Sequence, residues 1–214
     1  MKNVSKILAL FFLLGLSNTF AQAQREVIVH CDDHHHHIVY CEDHKIFKNG
    51  FFFDAVAQGG VYRTDDLFID FYDSYAVAGA SLRFGNKWYF GKTDRYRPGL
   101  TATWAKAGAN YILEDWGYAY PIYNFSLVNL GLTNTFRFDD RSGLEINLNG
   151  GFNLIADTDY GELYPGFVVN ANIKYRFRKI AVGIDASYTY GNSLQDRDMI
   201  ADMTLIGLTV GLKF

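Results

Sequence analysis

The residues best suited to chemistry lie together near the start of the chain. All six histidines (His30, His34, His35, His36, His37, His44) and both cysteines (Cys31, Cys41) fall between residues 30 and 44. A short echo runs through this stretch: Val29-His30-Cys31-Asp32-Asp33-His34 is answered by Val39-Tyr40-Cys41-Glu42-Asp43-His44. Each copy carries Cys-x-x-His. Two thiolates and two imidazoles, Cys31, His34, Cys41 and His44, match the donor set of a tetrahedral Zn²⁺ site. His30, His35, His36 and His37, with the neighbouring carboxylates, offer further ligands for Zn²⁺, Cu²⁺ or Ni²⁺. The same two cysteines could instead form a Cys31–Cys41 disulfide, the usual fate of a cysteine pair in an oxidising compartment. Closing so short a loop stabilises by roughly 2–3 kcal/mol in the chain-entropy model. Metal ligation and the disulfide are alternatives for the sulfurs, so the cofactor expectation is at most Zn or Cu in this arm.

The compartment follows from the residues before the arm. Met1 to Ala23 reads as a secretory signal peptide: Lys2 and Lys6 are its positive region, Ile7 to Leu16 its apolar run, and Ala21-Gln22-Ala23 its small-x-small cleavage site. The apolar run is about half of the ~20 residues a spanning helix needs. Cleavage before Gln24 leaves residues 24–49 as a short arm, with no lipidation signal at Cys31. Without Lys2 and Lys6, 18 Lys+Arg face 23 Asp+Glu, a charge of −5 that gives no support to nucleic-acid binding. No later apolar run is long enough for a spanning helix. Fifteen Tyr, 18 Phe and 20 Gly against only three Pro suit an aromatic-rich sheet.

From Gly50 onward, apolar residues recur at every second position, the signature of strands with two different faces. The expected strands are Gly50–Tyr62, Tyr75–Phe90, Tyr96–Ile112, Ile122–Phe138, Gly143–Ile155, Leu163–Phe177, Ile180–Tyr190 and Asp202–Phe214. In the fifth, Leu144, Ile146, Leu148, Phe152 and Leu154 oppose Glu145, Asn147, Asn149, Gly151 and Asn153. The last reads D-M-T-L-I-G-L-T-V-G-L-K-F, with Ile206, Leu208, Val210, Leu212 and Phe214 on one face. The third is the least regular, because Lys106 interrupts the alternation of Leu100, Ala102 and Trp104. The connections alternate between tight (91–95, 139–142, 178–179) and long (63–74, 113–121, 156–162, 191–201), as in membrane barrels with short turns at one end and longer loops at the other.

In a soluble sandwich the apolar face would be the core; in a membrane barrel it meets lipid and the polar face fills the lumen. The aromatics favour the barrel. Phe51, Phe53, Trp88, Phe90, Tyr96, Phe136, Phe138, Tyr175, Phe177 and Phe214 share the apolar face near the short turns, with Tyr188 and Tyr190 at the opposite end, like interfacial girdles. The expected interior charges are Asp54, Arg83, Arg97, Arg137, Glu145, Lys174, Arg176, Asp185 and Lys213. Eight strands leave room only for side chains, so these should interlock rather than line a channel. The fold class expected is all-β: an eight-stranded antiparallel transmembrane β-barrel over residues 50–214, preceded by the N-terminal periplasmic arm.

A final strand of this kind, ending in Phe214, resembles the C-terminal insertion signal of bacterial outer-membrane barrels. Over residues 50–214 the chain resembles the small eight-stranded barrels of that superfamily, including the OmpA transmembrane domain, OmpX-like proteins and the PorT-like barrels of Bacteroidetes. The resemblance implies an outer-membrane location with the N-terminus in the periplasm, contact with outer-membrane lipid and lipopolysaccharide, and insertion by the barrel-assembly machinery. No nucleic-acid partner is implied. Barrel enzymes of this size use a histidine in the barrel or its loops, whereas none follows His44 here. Ser142, Ser187 and Ser193 thus lack an activating histidine, and Asp65/Asp66 and Asp196/Asp198 read as solvated loop charge, so an enzyme is not expected. The leading expectation is a structural or accessory barrel that docks on a larger outer-membrane assembly or serves envelope integrity. The alternative is a Zn²⁺- or Cu²⁺-binding arm anchored by the barrel. A weaker one is adhesion or ligand capture through the acidic long loops (Asp65, Asp66, Asp70, Asp73, Glu114, Asp115, Asp157, Asp159, Glu162).

Overall fold

The computed structural model describes residues 47–66, 71–91, 93, 95–113, 120–139, 141–159, 161–196 and 199–214. Residues 1–46, and with them the expected signal peptide, most of the expected arm and every cysteine and histidine expected as a ligand or disulfide partner, lie outside the described residues.

Eight strands follow in chain order: β1 (Gly50–Asp66), β2 (Phe71–Tyr89), β3 (Tyr96–Ile112), β4 (Pro121–Arg137), β5 (Ser142–Asp157), β6 (Glu162–Phe177), β7 (Ile180–Asn192) and β8 (Met199–Lys213). Each pairs antiparallel with the next, and β8 returns to β1 to close the barrel. Closure leaves no unpaired edge, the condition for a sheet to cross a membrane. Among the described residues no helix is long and apolar enough to cross a membrane. The start of β1 and the end of β8 lie together at the short-turn end, where Phe52 pairs with Lys213.

The expected strands are all present, but most run further into the long connections than the alternation indicated. β1 extends to Asp66, and β2 begins at Phe71. The pairing continues there through Thr64–Asp73 and Asp65–Tyr72 even though the residues are polar. Backbone pairing does not need an apolar face, whereas the alternation used to read the sequence does. At ~3.3 Å per residue and ~40° of tilt, the 17 residues of β1 span about 40 Å along the barrel axis, more than an apolar band of ~25 Å requires. The strand ends therefore stand outside that band.

The polarity is that of a soluble protein turned inside out. Leu82, Leu130, Leu132, Phe152, Ile173, Ile184, Ile206 and Leu208 are all more than half exposed on the outside. Asn110, Thr133, Thr135 and Glu145, inside, are wholly buried. Water would favour the reverse, so the outer wall is a lipid-facing surface and the chain is a membrane-spanning barrel.

Two adjacent bulges explain the irregular third strand. Phe84 pairs with Ala105 and Gly85 with Thr103, so Trp104 is an extra residue on β3. Across from it, Leu127 pairs with Phe152 and Leu130 with Gly150, so Val128 and Asn129 together oppose Gly151. Each extra residue shifts the inward parity by one. Thr101 and Thr103 point inward before the bulge; Lys106, Gly108 and Asn110 point inward after it. In β4 the inward set changes from Asn124 and Ser126 to Asn129, Thr133 and Thr135. Val128 sits at φ 54°, a conformation unfavourable for a β-branched residue, and closes the bulge. Gly151 is required there, since an added Cβ would lie 2.1 Å from Asn129 Oδ1 and 2.8 Å from its Cα.

Candidate functional site in the lumen and the outer wall

The lumen is filled in layers. Nearest the short turns, Glu145 is the hub. Lys87 bonds its Oε1, and Arg176 grips Oε2 through Nη2 (2.8 Å) and Nε (3.2 Å). Asn147 Nδ2 donates to Oε1 (2.9 Å) and Tyr89 OH to Oε2 (3.3 Å). One layer further in, Asp54 Oδ2 accepts from Arg83 Nε (2.8 Å) and Lys174 Nζ (2.5 Å), while Arg83 Nη1 reaches Asp185 (2.6 Å). Asn170 ties the layer together, donating to Asp185 Oδ1 (2.7 Å) and accepting from Arg83 Nη1 (2.8 Å). Above these, Gln58 bridges Asn110 and Ser81 at 2.9 and 3.1 Å.

Three buried carboxylates (Asp54, Glu145, Asp185) thus meet six buried cations (Arg83, Lys87, Lys106, Lys174, Arg176, Lys213) in this half of the lumen. Buried charge is costly unless compensated. Ring faces supply part of the compensation: Lys213 Nζ lies 4.3 Å from the Tyr89 centroid, and Lys87 and Lys174 lie 4.9 and 5.8 Å from that of Phe52.

Towards the long loops the filling becomes apolar. Tyr62, Val77, Ile112, Ile122, Ile155, Tyr164, Ala201, Met203 and Leu205 form one buried cluster inside the barrel. Tyr62 OH donates to Asp157 Oδ2 at its outer edge (2.8 Å). At the opposite mouth Phe47, only 3 % exposed, packs edge-on to Tyr89 (centroids 6.2 Å apart) and under the Arg97 guanidinium (4.8 Å). Asn49 Oδ1 accepts from the Tyr89 amide (2.7 Å), which anchors the segment entering β1. The barrel is stoppered by side chains at both ends.

Of the nine expected interior charges, Asp54, Arg83, Glu145, Lys174, Arg176, Asp185 and Lys213 are buried inside. Arg97 and Arg137 are not; both are half-buried at the short-turn mouth, where Arg97 also donates to Thr93 O (3.2 Å). The expectation placed them too deep because the inward face continues past the level at which the lumen ends. Lys87 was missed, although the alternation of Phe84, Trp88 and Phe90 outward already puts it inside. Lys106 was missed because a single-residue bulge leaves no mark in the composition of one strand.

Ser142 and Ser193 have structural partners. Ser142 Oγ donates to Asp139 Oδ2 (2.6 Å) in a turn, where Asp139 also accepts the amides of Arg141 and Ser142 at 2.7 Å. Those donors, the Ser142 hydroxyl foremost, hold the Asp139 carboxyl below the usual carboxylate range. Ser187 is buried in the lumen. Ser193 Oγ donates to Glu162 Oε2 (2.5 Å) and accepts the amides of Gln195 (3.1 Å) and Asp196 (3.0 Å), which ties down its loop. Asp65 is the penultimate residue of β1, Asp196 is exposed, and Asp198 and the Asp66 side chain lie outside the described residues. Among the described residues no three His, Cys, Asp or Glu side chains converge as a metal site.

The outer wall is uneven. Across β1–β3 the outward residues at mid-height are Ala55, Ala57, Gly59, Ala76, Ala78, Ala80, Ala107 and Ala109, interrupted by Leu82, which pairs with Ala55 and Ala107. The register makes them one patch: Ala57 pairs with Ala80, Gly59 with Ala78, and Ala80 in turn with Ala109. From β4 round to β8 the corresponding positions carry mostly Leu, Ile, Val and Phe, with Gly150 and the Ala171–Ala186 pair as smaller exceptions.

No family model matches the chain, and no curated protein does. Solved structures similar to it include the outer membrane enzyme PagL (17 % identity, 75 % of this chain and 99 % of that one, TM-score 0.42). Neisserial surface protein A is another (11 %, 78 % and 99 %, TM-score 0.44). The outer membrane protease OmpT of Escherichia coli is a third (10 %, 78 % and 96 %, TM-score 0.38). The likeness is one of fold, a closed antiparallel β-barrel, which the strand pairing of this chain shows by itself. It also corrects the expectation that the chain is not an enzyme. Two of the structures the chain is similar to are described as an enzyme and a protease. Groups mounted on a rigid wall or its loops can do chemistry that strand alternation cannot register.

Proposed function

We propose that the chain is an outer-membrane barrel that packs sideways, through its β1–β3 wall, against a larger membrane assembly, with both barrel-strand termini on the periplasmic side. The observation that carries this reading is the small-residue wall. In lipid there is no hydrophobic drive for one apolar surface to leave lipid for another; association rests on close van der Waals packing, which small side chains permit by letting backbones approach. The alanine and glycine patch offers that approach over three strands, whereas from β4 to β8 small outward residues at mid-height are confined to Gly150 and the Ala171–Ala186 pair. The filled lumen supports the same reading, because it leaves walls and rims as the surfaces available for contact. The signal peptide expected over residues 1–23 and the lipid-facing outer wall of the barrel support the outer membrane as the location.

The test is native purification from outer membranes, without a metal-affinity column, of the parent and of an Ala57→Leu/Ala80→Leu/Ala109→Leu variant. The parent is expected to carry a stoichiometric membrane partner, and the variant to insert normally but lose it. Retention of the partner by the variant would reject the wall as the contact. A monodisperse barrel without any partner in gently solubilised membranes would reject the assembly role itself. Deleting residues 32–44 separates the wall from the arm, since a wall-bound partner survives that deletion.

A further inference from the structure

The short-turn rim has a chemistry that neither the lumen nor the wall explains. Its three tight turns are laced by backbone hydrogen bonds, and each joins two basic residues. The Arg137 amide donates to Arg95 O (2.7 Å), that of Arg178 to Arg141 O (2.6 Å), and that of Lys213 to Lys179 O (2.8 Å). Arg95, Arg141, Arg178 and Lys179 have exposed side chains. Only the Arg141–Arg178 bond joins two exposed side chains, since Lys213 turns into the lumen and Arg137 is half-buried at the mouth; the exposed cations on this one rim repel one another less with an anion among them. Asp139, the described carboxylate of these turns, is already engaged by three donors of its own turn. The sequence adds Lys92, Asp94 and Asp140 to the same turns, and the balance stays positive. Directly inboard lies an exposed aromatic belt of Phe90, Phe138, Phe177 and Phe214. Arg178, at φ 54°, carries its guanidinium 5.7 Å over the Phe177 ring, on the lipid-facing side.

We propose that this rim binds the headgroups of anionic phospholipids. Aromatic rings settle at the interfacial level of a bilayer, and cations immediately beyond them meet the phosphate layer. An acidic protein would meet the turn tips from outside, whereas the Arg178 guanidinium is folded back over a lipid-facing ring. The long-loop end is acidic, so headgroup affinity belongs to one end of the barrel. This proposal is independent of the packing role of the β1–β3 wall.

The experiment is native mass spectrometry of the detergent-solubilised full-length barrel, titrated with phosphatidylglycerol or phosphatidylcholine. The expected result is preferential retention of phosphatidylglycerol by roughly tenfold or more at low salt, falling steeply at high salt. The Arg141→Gln/Arg178→Gln/Lys179→Gln variant should lose most of that preference while its outer-wall residues remain intact. Equal retention of the two lipids, or a preference untouched by the variant, would overturn the proposal. So would a preference that ignores salt in the parent, a readout that does not depend on the variant folding. Tighter capture of a polyglutamate peptide than of phosphatidylglycerol would make the rim a protein-docking face instead and reject the lipid assignment.

Discussion

Glu145 offers the sharpest test of how the lumen is held together. It is wholly buried and is the sole carboxylate in contact with both Lys87 and Arg176 among the described residues. Glu145→Gln keeps the volume and one acceptor oxygen for Asn147 or Tyr89. It removes the charge and turns an amide N–H₂ towards a cation that can only donate. Removing one member of a buried ion pair typically costs about 3–5 kcal/mol, because the remaining charge is left uncompensated. Two cations lose their counter-charge here, so a loss of at least ~3 kcal/mol is expected. The second arm of the test is Lys87→Met. Combined with Glu145→Gln it removes one of the stranded cations, so the double variant should recover about 1–3 kcal/mol relative to the sum of the single changes. The measurement is reversible urea unfolding of the barrel in lipid vesicles, followed by tryptophan fluorescence, with the folded fraction checked by heat-modifiable gel mobility. A Glu145→Gln barrel within about 1 kcal/mol of the parent would refute the reasoning, since a buried charge whose removal costs so little would have to be hydrated. Strict additivity of the two substitutions would refute the pairing itself.

Two further predictions come from the filling and the bulges. The barrel should show no ion conductance in planar bilayers, and Phe47→Ala should not create any, because the apolar cluster around Tyr62 and Ile155 still blocks the other end; stable conducting steps in either protein would contradict a packed lumen. Gly151→Ala should destabilise by ~2 kcal/mol or more through its clash with Asn129. Val128→Gly should stay within about 1 kcal/mol of the parent, as relief at φ 54° offsets lost lipid contact; the same urea titrations read both, and a tolerant Gly151→Ala would place the bulge elsewhere.

The number of strands, the tight ends of each, the lipid-facing set and most of the interior charges were legible in the chain because a strand has a period of two and the lipid rewards one face. Glu145, Lys174, Arg176 and Asp185 could be placed inside from their neighbours alone. Which charges meet was not legible. Asp54 and Lys174 are 120 residues apart and touch because closure curls β6 round to face β1. Lys106 enters the lumen only because Trp104 and Val128 each add one residue against a neighbouring strand, and a bulge is a property of two strands, not of one. The apolar stopper at the long-loop end combines single residues from several strand ends, each too isolated to form a pattern. The same holds for the β1–β3 wall and the basic rim: alternation tells which side a residue faces, while pairing register and barrel closure determine which residues stand beside it.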